Sequence, residues 1–310
     1  MTALISGSVA YDTIMVFNDR FRNHILPEQV HILNVSFIVP ELRKEFGGCA
    51  GNIAYNLKLL GEQPLPMATA GADFEPYAEW LAEQQIPSDF IRVMHDAYTA
   101  QAYITTDADD NQITAFHPGA MNEAHRLEVP TDVGAKIGIV APNGRDGMLQ
   151  HAAQFKAAGI PFIFDPGQGM PMFDGKDLLD FVEQATWVAV NDYESQLLQE
   201  RTGLSLGSLA EKVDALIVTL AGEGSQIFTA GRCIDIPAVA PSAVVDPTGC
   251  GDAYRAGLLY GLLNDLDWDT TGRIASLMGS IKVAHHGTQN HRFEMDEFRE
   301  RYREAFGSDF

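Results

Sequence analysis

The chain has 310 residues, of which 46% are hydrophobic and 20% charged, so a sizeable core is expected and global disorder is not. Acidic residues outnumber basic ones by 42 to 21, and the formal charge of −21 argues against nucleic-acid and anionic-membrane partners. A bound phosphate would therefore need a local site made of backbone N–H groups and a metal ion. The three cysteines match no disulfide or zinc pattern, the N-terminus lacks a basic signal-peptide segment, and no apolar run reaches the roughly 18 residues that span a bilayer. A cytoplasmic protein is expected.

Apolar, strand-like runs recur along the chain: Leu4–Val9, Pro66–Thr69, Lys136–Ala141, Pro161–Phe164, Trp187–Val190 and Ala215–Leu220. Helix-like stretches lie between many of them: Asn52–Leu60, Met148–Ala158, Leu178–Gln184 and Glu194–Arg201. The C-terminal third is predicted to be helical over Gly251–Leu263, Thr271–Val283 and Glu294–Phe306. Several runs are apolar throughout, which is typical of parallel strands covered on both faces. The alternation predicts one α/β domain over residues 1–310, with a doubly wound, mostly parallel sheet flanked by helices.

Two regions interrupt this alternation. Val30–Val39 mixes polar and apolar residues, and the runs Ala100–Thr106 and Gln112–His117 flank a turn-rich centre, as in a β-hairpin. Together they predict a small β-lid formed by residues 13–46 and 97–120. Its exposed strand edges favour a homodimer through the lid.

The sequence VVDPTGCGDAYRAG at residues 244–257 combines a strand end, a glycine-rich turn and a helix start. Gly249, Cys250 and Gly251 would place free N–H groups and a positive helix end at an anion. Asp252 in the first helical turn would accept a proton from an attacking hydroxyl. Two alternatives remain open from the residues alone. Asp252 can serve only as a helix cap, or Cys250 can be a thiol nucleophile, although no base follows it closely and two aspartates would oppose a thiolate.

Four other stretches carry polar groups at expected strand ends or helix starts. Gly48 and Asn52 belong to a second glycine turn, and Asp12 follows the first apolar run. Asn191 and Glu194 follow another run, with oxygens suited to Mg²⁺ held through waters. Each group has a structural alternative as a turn or cap. Thr219, Gly222 and Gly224 are predicted first as part of a β-hairpin and second as a nucleotide-contacting turn.

The order of these motifs resembles the ribokinase-like (PfkB) carbohydrate and nucleoside kinases over essentially the whole chain. Gly47-Gly48…Gly51-Asn52 is similar to their first signature and Asp246–Asp252 to their second, with Pro247 where Thr is commoner and Cys250 where Ala is usual. Asn191-x-x-Glu194 matches their Mg²⁺/phosphate motif and Asp12 their sugar-binding aspartate.

The resemblance implies a role for each matching position. Asp252 would be the catalytic base, and the N–H groups of Gly249, Cys250 and Gly251 would form the anion hole. Asp12, Gly48 and Asn52 would hold ribose hydroxyls. Thr219, Gly222 and Gly224 would line the ATP site, with Gly287 near the adenine. Asn191 and Glu194 would order Mg²⁺, and Asp246 would correspond to a ligand of K⁺ in members activated by it.

The segments Phe21–Val39, FGGCAGNIAYNL and QITAFHPGAM resemble a bacterial branch of adenosine and broad-range nucleoside kinases. Apolar lid residues would then cover a base: Phe37, Tyr103, Phe116 and Met121. The same residues fit an apolar lid–lid interface equally well. The reading from sequence is thus an ATP- and Mg²⁺-dependent nucleoside kinase, with adenosine as the expected acceptor. A sugar kinase for ribose, fructose or a ketogluconate and a non-catalytic nucleoside-binding regulator are the alternatives.

Overall fold

The computed structural model describes residues 1–25, 35–109 and 111–310. Nine α-helices lie in this part of the chain: α1 Cys49–Leu59, α2 Glu75–Glu83, α3 Arg145–Ala158, α4 Gly175–Gln184, α5 Asp192–Thr202, α6 Leu206–Ala210, α7 Cys250–Leu263, α8 Trp268–Val283 and α9 Met295–Phe306. Its strands are β1 Thr2–Ser6, β2 Ala10–Val16, β3 Glu41–Gly47, β4 Gln63–Gly71, β5 Ile91–Met94, β6 Ala100–Thr106, β7 Gln112–His117, β8 Ile137–Val140, β9 Phe162–Phe164, β10 Trp187–Asn191, β11 Ala215–Thr219, β12 Ser225–Thr229 and β13 Arg232–Ile236.

The larger sheet has nine strands in the order β13-β12-β11-β10-β9-β8-β1-β4-β5. All neighbouring pairs from β11 to β5 are parallel, whereas β12 pairs antiparallel with both β11 and β13. Strand β1 shows why the runs are apolar throughout. Ile5 belongs to the core under α1, α2 and α7, and Leu4 to the core on the other face under α3, α4 and α5. The predicted doubly wound, mostly parallel sheet is confirmed, and strands β5, β12 and β13 are added to it.

A second sheet of four strands, in the order β3-β2-β6-β7, is formed by two segments of the chain, one between β1 and α1 and the other after β5. Its central pair β2–β6 is parallel, and the two outer pairs are antiparallel. These strands fall within the segments in which a lid is predicted, except that β2 begins at Ala10 and β3 ends at Gly47. Of the predicted segment Val30–Val39, residues 30–34 lie outside the described residues, and 35–39 are irregular.

The first predicted strand is wrong at its C-terminal end, and this moves Asp12. Strand β1 stops at Ser6, and the chain turns before entering β2. Asp12 therefore lies inside a strand of the small sheet and not in a turn after the first strand. The apolar run through Val9 concealed this break because Val9 is itself fully buried.

Candidate active site

A cavity of about 660 Å³ opens at the carboxyl ends of the central strands, where ligands bind in open α/β sheets. The residues predicted from sequence that line it are Asn191, Glu194, Thr219, Gly222, Gly224, Gly249, Cys250, Gly251 and Asp252. A larger depression, lined by Lys136, Trp187 and Trp268 among others, lies at the amino ends of the strands and contains none of the predicted site residues. The chemistry is therefore concentrated in the first cavity.

The N-terminus of α7 forms one wall of this cavity. Gly249 precedes the helix with φ of +77°, a left-handed conformation that glycine adopts without strain. No described side chain caps this helix end. The N–H of Cys250 already donates to the carbonyl of Pro247 at 3.2 Å, so the turn itself uses one of the three N–H groups predicted for the anion site. Gly249 and Gly251 are the less committed donors.

Asp252 lies in the first turn of α7, partly buried in the cavity wall. Its Oδ2 accepts a hydrogen bond from Nδ2 of Asn52 at 2.8 Å. The pKa of Asp252 is raised to about 7, chiefly by burial; the charge of Asp165 contributes to the rise, whereas the Asn52 hydrogen bond and the charge of Arg255 oppose it. A carboxyl group with a pKa near neutrality is suited to accept a proton during turnover.

The burial of Cys250 raises the pKa of its thiol to about 11. The thiol is therefore protonated near neutral pH, which argues against the nucleophile reading of this residue. Its remaining contribution to the site is the backbone of the turn.

Asn52 connects the two glycine turns. Helix α1 begins at Cys49, three residues before the predicted start, so Asn52 lies inside its first turn and is only 4% exposed. Its Oδ1 accepts a hydrogen bond from Gln289 at 3.0 Å while its Nδ2 donates to Asp252. Asn52 thus orients the Asp252 carboxylate. Gly48 has φ of +86°, and a Cβ there would lie 2.6 Å from the backbone of Ser8 and Ala10. Only glycine fits this position.

Asp12 lies on one face of the small sheet, close enough to Asp246 before the α7 turn for the two charges to interact. Its direct cross-strand partners are Glu45 and Ala102, and Ala102 pairs in turn with Phe116. Because paired residues share a face of a sheet, Phe116 and Asp12 are on the same side. Burial, together with the charges of Asp246 and Glu45, raises the pKa of Asp12 to about 6. Asp12 and Phe116 are not among the residues that line the 660 Å³ cavity.

The other apolar lid residues are distributed differently. Tyr103 pairs with Thr13 and Ala115, so it lies on the opposite face of the small sheet from Asp12. Phe37 packs against Phe17 and Phe21, with ring centroids 4.8 and 5.2 Å apart. Met121 is in a short 3-10 helix, Gly119–Arg126, after β7. Of the four, Phe116 alone shares a row with Asp12.

Asn191 and Glu194 form a reciprocal cap at the start of α5. Oδ1 of Asn191 accepts from the N–H of Glu194 at 2.7 Å, and Oε2 of Glu194 accepts from the N–H of Asn191 at 2.8 Å. The capping alternative is therefore realised, and both residues still line the cavity. The described residues contain no cluster of three or more His, Cys, Asp or Glu able to hold a metal directly. The side-chain oxygens of Asn191 and Glu194 therefore fit Mg²⁺ that keeps most of its waters and contacts the protein through them.

The segment after β11 combines both of its predicted roles. Strands β11 and β12 form an antiparallel hairpin, joined by a 3-10 turn at Ala221–Glu223. Thr219, Gly222 and Gly224 also line the cavity. The turn presents little side-chain bulk, which leaves room for a large ligand.

Gly287 lies apart from the cavity-lining residues. Its N–H donates to Oδ2 of Asp246 at 2.9 Å, and a Cβ at this position would lie 3.1 Å from Oε2 of Glu45. It has φ of +71°. The structure thus brings Gly287 to the turn before α7 and to the small sheet. Within the predicted adenine segment, Val283–Asn290, Val283 is the residue that lines the cavity.

A buried ion pair completes the cavity wall, and the sequence patterns missed it. Nη2 and Nε of Arg255 donate to the two carboxylate oxygens of Asp165 at 3.0 and 3.2 Å, and Nη2 also donates to the carbonyl of Ala189. The two side chains are 5% and 6% exposed. Asp165 directly follows an apolar strand, the same signal that selected Asp12. Arg255 lies one helical turn after Asp252, which is the spacing of side chains on one helix face.

A family profile described as pfkB family carbohydrate kinase matches residues 10–294 of the chain. The chain belongs to this family. It is therefore a phosphotransferase, and the helix start with Asp252 lies inside the matched region.

Two relatives are similar to this chain over most of their own length. The nucleoside kinase of Methanocaldococcus jannaschii is 33% identical over 271 residues, 86% of this chain and 89% of the relative. Its structure, described as an archaeal member of the ribokinase family, has a TM-score of 0.89 and covers 98% of both chains. The ribokinase-like fold is therefore confirmed.

The nucleoside kinase of Burkholderia thailandensis has been solved with inosine and with ADP-inosine. The inosine complex is 48% identical, has a TM-score of 0.92 and covers 99% of this chain and all of the other. The ADP-inosine complex is 51% identical, has a TM-score of 0.88 and covers 99% and 97%.

Proposed function

We propose that the protein is an ATP-dependent nucleoside kinase that transfers the γ-phosphoryl group of ATP to the ribose 5′-hydroxyl, with adenosine as the expected acceptor. The observation that carries this proposal is Asp252, a carboxyl group with a pKa near 7 beside the uncapped, glycine-rich start of α7 in the cavity wall. The similarity to a nucleoside kinase solved with inosine and ADP supports the class of acceptor.

In this proposal Asp252 is the general base. Its ionised carboxylate accepts the proton of the 5′-hydroxyl as the oxygen–phosphorus bond forms and the bond from the γ-phosphorus to the bridging oxygen of ADP breaks. Asn52 holds the carboxylate in place from α1. The N–H groups of Gly249 and Gly251, together with the α7 dipole, stabilise the charge on the transferred phosphoryl oxygens, and that of Cys250 supports the turn.

The nucleotide is proposed to occupy the 660 Å³ cavity, with Thr219, Gly222 and Gly224 along its wall. Asn191 and Glu194 would hold Mg²⁺ through its waters. When bound, Mg²⁺ neutralises the phosphate charge in a site whose protein is strongly acidic. The Arg255–Asp165 ion pair lies in the same wall.

The acceptor is proposed to bind between α1, the turn before α7 and the small sheet. Asp12 and Gly48 lie there and would contact ribose hydroxyls, with Phe116 on the same sheet face available to cover the base. The small sheet then acts as a lid that excludes water, which would compete as acceptor. Because Asp12 lies on strand β2 of this lid, closure of the lid would bring its carboxylate to the sugar.

We further propose a cytoplasmic homodimer that associates through the lid. Leu42, Tyr103 and Ile113 on the outer face of the small sheet are 63%, 41% and 45% exposed. All three cysteines carry free thiols, as expected in a reducing compartment. No helix in the part of the chain that the structure describes is long and apolar enough to cross a membrane. Sedimentation equilibrium would detect the dimer.

An acceptor panel tests the function. With ATP and Mg²⁺ present, ADP release is expected with adenosine and inosine and not with free ribose, fructose or a ketogluconate. Release only with a free sugar would replace the nucleoside reading by the sugar-kinase reading. Binding of nucleoside without any ADP release would establish the non-catalytic regulator instead.

Replacing Asp12 with alanine is expected to raise the nucleoside KM by about 10- to 100-fold, because a hydrogen bond to a charged group contributes about 1.5–3 kcal/mol. The kcat at saturating nucleoside should change little, since Asp12 contacts hydroxyls that do not react. Steady-state kinetics with varied nucleoside measures both constants.

The matched control is Asp235→Ala, an exposed strand aspartate on β13 at the far edge of the main sheet. Its KM should equal that of the wild type. An Asp12→Ala enzyme with wild-type KM would remove Asp12 from the acceptor site.

A further inference from the structure

The turn that precedes α7 is fastened to the end of α8 through Asp246. The N–H of Asp246 donates to the carbonyl of Val283 at 3.1 Å, and its Oδ1 and Oδ2 accept from the N–H groups of Thr248 and Gly287 at 2.9 Å each. This single residue therefore ties together the start of the Pro247–Gly249 turn, the end of α8 and the segment after it. The position of the anion site depends on these bonds.

Lys282 inserts an ammonium group into the same junction. The residue is fully buried in the last turn of α8, and its Nζ donates to the carbonyl of Asp246 at 2.7 Å and to that of His285 at 3.1 Å. Burial lowers the pKa of Lys282, and the charge of Asp246 opposes this. An ammonium without partners would not be tolerated here, so the two carbonyls and the nearby carboxylate make up its site.

The resemblance to K⁺-activated kinases implies a monovalent cation at Asp246, but the residues present do not fit one. Each polar atom of Asp246 already has a hydrogen-bond partner in the chain, so a metal ion would have to share its oxygens; the partners are Val283, Lys282, Thr248 and Gly287. Backbone carbonyls are the oxygens that a K⁺ ion would need, and those of Asp246 and His285 point at the Lys282 ammonium. The Lys282 side chain thus already supplies a positive charge at this junction.

We propose that the Lys282 ammonium is the permanent cation of the turn before α7, and that the protein consequently requires no monovalent metal ion. Lys282 is a positioning residue that acts through the turn on the anion site at Gly249 and Gly251. Its charge also acts on Cys250 within that site. The inference rests on the proposed kinase function only for its kinetic readout.

Two arguments make this arrangement consequential. A lysine cannot dissociate, so the turn keeps its shape at any salt composition, whereas a bound ion would leave at low concentration. In addition, a chain with a charge of −21 repels phosphate at long range, and a buried ammonium behind the anion site offsets part of that repulsion.

The first experiment uses the wild-type protein. Initial rates are measured in potassium, sodium and tetramethylammonium salts at constant ionic strength and saturating Mg²⁺. Tetramethylammonium is too large for a site made of carbonyl oxygens and therefore cannot replace potassium there. The same kcat is expected in all three salts, because the Lys282 ammonium already supplies the cation. A many-fold higher kcat in potassium than in tetramethylammonium overturns the inference.

The thermal unfolding midpoint, measured in the same three salts, gives a readout that needs no turnover. Equal midpoints in potassium and tetramethylammonium are expected, and a specific rise in potassium overturns the inference. If the acceptor panel shows no phosphoryl transfer, the proposed function fails while this comparison still decides the cation question. The two failures are therefore distinguishable.

The second experiment replaces Lys282 with methionine, which keeps the length of the side chain and removes its charge. Misplacement of the turn is expected to lower kcat by about 100-fold, with the nucleoside KM near its wild-type value. The matched control is Lys156→Met, an exposed lysine near the end of α3, which should leave both constants unchanged. A folded Lys282→Met protein with wild-type kcat overturns the positioning role; if this variant does not fold, the wild-type salt comparison remains decisive.

Discussion

Replacing Asp252 with asparagine is expected to lower kcat by about 1000-fold, within the range of about 10²- to 10⁴-fold that general-base catalysis contributes. The amide keeps the size of the side chain and its place in the first turn of α7 but accepts no proton. Nucleoside binding should stay near normal, because Asp12 and the small sheet are untouched. Steady-state kinetics and calorimetric nucleoside binding measure the two effects separately.

The matched control is Asp146→Asn, which makes the same change in the first turn of another helix, α3, at an exposed position. It should be kinetically silent. Turnover of Asp252→Asn at the wild-type rate would contradict the proposed mechanism.

The pH profile of the wild-type enzyme belongs to the same prediction. The base must be deprotonated, so kcat should fall as pH decreases through about 7.

Replacing Arg255 with methionine is expected to lower the free energy of unfolding by about 3–5 kcal/mol, because it leaves the buried carboxylate of Asp165 without its partner. Urea unfolding monitored by circular dichroism measures this change. The double variant Arg255→Met/Asp165→Asn should recover most of the loss, since it removes both charges. Arg301→Met on α9, an exposed residue paired with Glu297, is the control and should cost no more than about 0.5 kcal/mol.

The same pair should tune the base in opposite directions. The charge of Arg255 lowers the pKa of Asp252, whereas that of Asp165 raises it. The kcat profile should therefore shift to higher pH in Arg255→Met and to lower pH in Asp165→Asn. A loss of stability below about 1 kcal/mol in Arg255→Met, or shifts in the same direction, would contradict this account.

The elements of the main sheet are readable from the sequence because their residues report local properties. Runs such as Trp187–Val190 are apolar at every position, and this identifies strands buried on both faces. The glycines at 48 and 249 mark turns with positive φ, a backbone conformation that other residues rarely adopt. Their neighbours Asn52 and Asp252 could be assigned to helix starts for the same reason.

Residues that act through distant partners were not readable in this way. Asp12 needed the register of β2 against β3 and β6, and its apolar neighbourhood through Val9 suggested a different strand. The residues of the Arg255–Asp165 pair are 90 positions apart in the sequence. Nothing in the sequence next to Arg255 distinguishes it from an exposed arginine on a helix. Nothing in the sequence around Lys282 distinguishes it from any other lysine near a helix end, because its proposed role depends on carbonyls contributed by Asp246 and His285.

The hydrogen bond between Asn52 and Asp252 spans 200 residues of sequence. During synthesis, α1 is complete long before α7 leaves the ribosome, so the apolar residues Ile53 and Leu57 of α1 cannot yet pack with α7. The proposed base and the residue that orients it meet only when the last third of the chain docks. A chain that ends before α7 would therefore lack the proposed base and would leave part of the apolar face of α1 exposed to aggregation.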